Sequence, residues 1–201
     1  MKGYTRHARN IFLALVLTAA SLLAQESARP VPAAFLDETA ARAAIVDDSL
    51  APYFIQFQPM EMSAKTGSPI PKGSIEQQRA ETRKRYQAGV RAFTTAETDV
   101  IRRTLNRIQP VLAKEYPLVA ATPWRFMKLS DSIEGGLPHT RGRHIVLSER
   151  ILHAIVQNAA LPPERMADLF VIDVLVHEQI HVVQRLHPGL FQKPGRGNRL
   201  Q

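Results

Sequence analysis

Val171-Ile172-Asp173-Val174-Leu175-Val176-His177-Glu178-Gln179-Ile180-His181-Val182-Val183 is the stretch on which the fold turns. Its β-branched residues could be read as a strand, whereas its surroundings favour a helix. Pro162-Pro163-Glu164 suits a first helical turn, where a missing N–H costs nothing and a carboxylate meets the positive end of the dipole. No Gly or Pro interrupts Met166 to Leu186. So long a run without breakers predicts a helix, and Leu169, Phe170, Ile172, Leu175, Ile180 and Val183 make it apolar nearly all round, hence buried. Residues four apart on a helix are offset by about 40°. His177 and His181 then sit one turn apart, with Glu178 beside the first. Two imidazoles so placed can hold one Zn²⁺, and the glutamate can act as general base on a water that the metal activates. Buried polar groups left unpaired cost a few kcal/mol each. A shared metal would satisfy these; the other reading is two core histidines hydrogen-bonded to their neighbours.

At 201 residues the chain has room for one domain, or for one domain with a prodomain or tail. Lys2, Arg6, His7 and Arg9 followed by the apolar run Ile11 to Ala24 predict a secretory signal peptide over residues 1–24, cleaved near Ala24. The apolar run is short for a membrane span, so no stable span is expected after cleavage. Residues 1–24 carry three basic and no acidic groups, which leaves 23 basic against 18 acidic, a balance of +5 in the mature chain. The positive groups are spread out. Arg79, Arg83, Lys84, Arg85 and Arg91 alternate with Glu76 and Glu81 as on a solvated helix face, and no interleaved aromatics point to nucleic acid, so none is expected as a partner. The chain has no cysteine, which excludes disulfides and thiol catalysis but not an extracytoplasmic address, because a domain of this size can build its core without staples.

Along the chain, residues 25–34 read as a linker and residues 35–91 as an N-terminal region of helix and strand. Within it, Asp37 to Leu50 predicts a short helix, Tyr53 to Phe57 a β-prone segment ending at Pro59, Lys65 to Ser74 a loop and possible boundary, and Ser74 to Arg91 a charged helix. Residues 92–191 form the region around the metal helix. Thr94-Thr95-Ala96-Glu97 has the form of a capping box opening a helix that Pro110 should kink or end. Trp124 to Leu129 and His144 to Leu147 predict strands joined by a turn-rich connection over 131–142, possible partners in a hairpin, and Ser148 can cap a helix over Glu149 to Ala159. Residues 192–201 are a basic tail with Lys193, Arg196 and Arg199.

HExxH on a helix preceded by strands and another helix resembles the zincin superfamily of zinc metallopeptidases, over about residues 95–187. The resemblance implies an α+β fold: a mainly helical zincin-like domain with a small sheet beside the HExxH helix. It implies Zn²⁺ as cofactor, His177 and His181 as ligands, Glu178 as the catalytic base, and a peptide or protein as substrate. It also implies an upstream edge strand that aligns an extended substrate, for which 143–148 is the candidate, with an ordinary core strand as the other reading.

The third protein ligand is where the chain departs from the pattern. One zincin branch uses a downstream glutamate, but no Asp or Glu follows Glu178. Another uses a histidine six residues after the second, and His187 has that spacing, though Gln184 stands where that branch has a turning glycine and no Met follows. Along a continuous helix His187 would lie about 240° from His181. The remaining reading is a chain that stops short of an ancestral downstream glutamate. Near the site, Asp173 either orients His177 or is an ordinary surface carboxylate. Glu134 and His139 either approach the site or belong to a plain turn. His144 and His153 read as a strand start and a helix surface residue, and Trp124 as core. The expected function is thus a secreted or periplasmic zinc peptidase; the alternative is a non-catalytic zincin-like protein that binds an envelope or extracellular partner.

Overall fold

The computed structural model of the protein describes residues 31–159 and 167–191. The proposed signal peptide, the Pro162-Pro163-Glu164 start and the basic tail lie outside them. The described chain is α+β and mainly helical, with a small mixed sheet. Strand β1 (Ala33–Phe35) leads into α1 (Glu38–Ile45), α2 (Pro59–Thr66) and α3 (Ile75–Ala88), then β2 (Val90–Arg91). Helices α4 (Thr95–Glu115) and α5 (Pro117–Ala121) precede β3 (Trp124–Leu129), β4 (His139–Arg141) and β5 (His144–Ser148). The metal-motif helix α7 (Ala167–Leu186) follows α6 (Glu149–Ala159) and is succeeded by α8 (Pro188–Phe191).

The helix starts follow the capping chemistry of the sequence. Asp37 accepts from Ala40 N–H, Ser74 and Gln77 form a reciprocal box, and so do Thr94 and Glu97. Ser148 Oγ accepts from Ile151 N–H at 3.3 Å and opens α6. Pro110 does not end α4, which runs on to Glu115. Ile108 and Leu112, both buried, flank the proline, so burial on either side holds the helix across the lost donor.

Three expectations are corrected. The end of the predicted linker, residues 33 and 34, belongs to strand β1, which pairs in parallel with β3 and where Phe35 stacks on Phe126 with ring centroids 5.1 Å apart. Residues 54–56 form a 3₁₀ turn instead of a strand, because Tyr53, Phe54 and Phe57 pack edge to face on one another and a straight strand would send them to alternate faces. The segments 124–129 and 144–148 pair in parallel, so they are not a hairpin; the hairpin is β4–β5, turned at Gly142 with φ +53°.

The sheet order is β1–β3–β5–β4, with β2 antiparallel to the end of β3. Strand 143–148 is therefore an interior strand with neighbours on both sides, and β4 takes the outer position. One face carries Met127, Leu129 and Val146 into a core with Ile45, Phe54 and Tyr86 from the N-terminal segments. Alternation sends Lys128 to the other face, where it meets Glu97 of α4. Helix α7 packs beside that face against β4, β5, α4, α5 and α6. Its buried contacts include Val171, Leu175, Val182 and Val183.

Candidate metal centre on helix α7

Within the apolar α7, positions 177, 178, 181, 184 and 185 make a polar stripe. The helix brings His177 and His181 together as the spacing predicts: their rings meet edge to face at 4.7 Å, and their Nε2 atoms are 3.2 Å apart. Two nitrogens bound about 2.0–2.1 Å from one tetrahedral zinc lie about 3.3 Å apart, so the pair already has the bite of a two-imidazole site. His181 Nδ1 lies 2.9 Å from Gln184 Oε1. A carbonyl oxygen only accepts, so Nδ1 carries the proton and Nε2 presents its lone pair. Without metal, His177 donates its Nε2 proton to that lone pair. Ligation by both rings requires the His177 proton to move to Nδ1.

Glu178 is 6% exposed and has no hydrogen-bond partner among the described residues. Burial pushes its carboxyl up, partly offset by His177, His181 and Arg185. A carboxylate so disposed has a raised proton affinity, as a general base needs. Gln179, fully buried, faces away and anchors the helix by donating to Thr122 O at 2.8 Å.

The other predicted residues separate. His187 N–H bonds Val183 O at 2.9 Å, the last helical bond of α7, which ends at Leu186. Among the described residues no three His, Cys, Asp or Glu side chains are grouped to hold a metal. Asp173 is exposed and makes no bond to His177. His144 begins β5, His153 is exposed on α6, and Trp124 is buried in the core.

Glu134 and His139 do not form a plain turn. They lie on the opposite face of the sheet from α7. Glu134 accepts from Lys65 Nζ at 2.7 Å and from the hydroxyls of Tyr53 and Tyr86. Beside it Arg141, 2% exposed, donates to Asp48 Oδ1 at 2.9 Å and lies 4.0 Å over the Tyr53 ring. Thr140, one residue along β4, points back toward α7 and accepts from Arg185 Nη1.

Arg185 is a site residue the motif did not flag. It stands one turn past His181 and joins the metal helix to the outer strand, and a polar stripe in an otherwise apolar helix was the available signal. A groove of about 430 Å³ opens there, between Leu50-Ala51-Pro52 and the His181–Pro188 end of the helix. On another flank of α7, Ile180, Val183, Tyr116, Leu118 and Phe191 line an apolar cavity of about 330 Å³. No described helix is long and apolar enough to cross a membrane. The chain matches no protein-family model, no curated protein and no solved structure.

Proposed function

We propose that the chain is a zinc-dependent peptidase, exported with removal of residues 1–24, that hydrolyses peptide bonds at the His177–Glu178–His181 stripe. The observation that carries this is the 3.2 Å approach of two Nε2 atoms, close to the separation zinc imposes on two imidazoles. The donor chemistry fits zinc as far as these two rings take it; His177 and His181 would hold the ion through Nε2. Bound there, zinc would supply the Lewis acidity that makes water a nucleophile at neutral pH and polarises a carbonyl. Glu178 takes the proton of the attacking water on a carboxylate oxygen and returns it to the leaving amine. Its buried position favours the first transfer by raising its proton affinity. Strand β4, outermost in the sheet and tied to α7 through Thr140, offers its backbone to an extended peptide.

One observation favours a non-catalytic zincin-like protein that binds an envelope partner: the histidine pair is satisfied without metal by its own contact and by Gln184. Metal analysis and one variant separate the two readings. Wild type and Glu178→Gln should bind near-stoichiometric zinc, and His177→Ala and His181→Ala should lose it. Glu178→Gln should lower chelator-sensitive cleavage of a general protein substrate by about 10²–10⁴-fold. A folded, metal-free wild type, or equal cleavage by wild type and Glu178→Gln, would overturn the peptidase reading.

A further inference from the structure

Several cations around the sheet have carboxylate partners. Arg141 and Arg83 share Asp48, Lys65 holds Glu134, and Lys128 holds Glu97. Arg185, half-buried, makes no ion pair among the described residues. Its Nη1 is spent on Thr140 Oγ1 and on Gly142 O at 3.5 Å, while Nε and Nη2 have no acceptor among the described residues. Glu178, two turns back on the same stripe, is near enough to act on the guanidinium through space but does not pair with it. The groove beside His181 is lined by Arg185 and walled by Leu50, Pro52 and Pro188, apolar groups that make a charge-assisted bond inside it stronger than in open water.

We propose that this groove is the subsite for a substrate carboxylate, held by the free edge of the Arg185 guanidinium one helical turn from the histidine pair. The inference rests on the peptidase reading and names its substrate class: peptides bearing a carboxylate close to the scissile bond, from a free C-terminus or from an Asp or Glu side chain. Thr140 and Gly142 hold Nη1, so part of the ordering of this side chain is in place before any ligand arrives.

The test uses the full chain and three labelled alanine pentapeptides: the free acid, its C-terminal amide, and an amide ending in Asp. Binding is read by fluorescence anisotropy with chelator present to suppress cleavage; turnover is read separately with zinc. A carboxylate peptide should bind at least about tenfold more tightly than the neutral amide. The tighter of the two acidic peptides identifies a chain terminus or a side chain as the source. Arg185→Met should abolish the preference. Thr140→Val, which removes the clamp and keeps the guanidinium, should retain it and so separates recognition from loss of structure. Equal affinity of wild type for all three peptides, or a preference that survives Arg185→Met, overturns the proposal. If the preference follows Arg185 while zinc brings no cleavage, the subsite stands and the peptidase reading falls. If all three peptides are bound and cleaved alike, the peptidase reading stands and the subsite falls.

Discussion

Glu134 holds a left-handed backbone, φ +54°, followed by Gly135 at +62° and Gly136 at +69°. A non-glycine residue in that region costs of order 1 kcal/mol or more. The compensation is on its side chain, where Lys65, Tyr53 and Tyr86 donate to one carboxylate. Burial pushes the Glu134 carboxyl up, but His139 and these donors outweigh it and the net direction is down. His139 itself is held down by burial, so at neutral pH it lends no charge and the hydrogen bonds carry the effect. Both shifts act in the same sense. A carboxyl depressed in the fold gives stability that is present above its unfolded value and is lost as pH falls through the folded one. A histidine depressed in the fold is protonated first in the unfolded chain, so stability also falls below about pH 6.5. The urea midpoint should therefore drop as pH falls below about 6.5, and again below about pH 4.3. Glu134→Gln should cost about 3 kcal/mol at pH 7, because it leaves Lys65 without its counter-charge, and should flatten the second drop while deepening the first, since the lost carboxylate favours protonated His139. A variant as stable as wild type at pH 7 would show that the network is not structural. The sequence marked 134–140 as a suspicious loop through its glycines and polar groups, but the tyrosines that define its role lie 81 and 48 residues away. No local pattern could have joined them.

Thr94 and Glu97 show the same limit at the scale of an element. The box was legible because both halves sit within one turn: Thr94 N–H donates to Glu97 Oε2 at 2.7 Å, and Glu97 N–H to Thr94 Oγ1 at 3.3 Å. What was not legible is that the same carboxylate accepts from Lys128 Nζ, 31 residues away on β3, at 2.8 and 3.0 Å. Both side chains of that pair are buried. The cap and the ion pair should therefore separate by mutation. Thr94→Ala removes a cap and should cost about 1 kcal/mol. Glu97→Ala removes the cap's second half and strands a buried ammonium, and should cost about 3–5 kcal/mol. Urea denaturation gives both numbers, and equal losses would mean the Lys128 contact contributes nothing. Helices whose start and stop signals lie within a few residues, such as 75–88 and 149–159, were legible for this local reason. The pairing of β3 with β5 was not, since two apolar runs with a turn-rich connection between them suit a hairpin or a parallel pair equally well. Its consequence reaches the sheet edge beside α7: the outer strand there is 139–141 and not 143–148.

Across the whole molecule, α7 is the element that joins the two faces. Through Gln179 it is bolted to Thr122 before β3, through Arg185 to the outer strand, and its His181 end borders the groove closed by the N-terminal residues 50–52. The histidine pair was legible because four residues make one helical turn. The groove was not, because its wall comes from residues about 130 positions earlier in the chain. The placement of the pair on a helix packed against six other elements makes a prediction for the entire fold. A metal that binds this pair in the folded chain, and the separated histidines of the unfolded chain far more weakly, stabilises the fold by mass action. With zinc at about a hundred times its dissociation constant the gain is about 2.7 kcal/mol. In a chain of this size that raises the melting temperature by about 5–10 °C. Magnesium, which prefers oxygen ligands, should leave it unmoved. Glu178→Gln should keep the full shift because the proposed role of the glutamate is that of a base and not a ligand, whereas His177→Ala and His181→Ala should each lose it. Thermal unfolding followed by circular dichroism, with and without zinc, reads all five cases. A shift that persists in both histidine variants would place the metal elsewhere in the chain, and no shift in wild type would leave the pair as a hydrogen-bonded contact on the helix surface and nothing more.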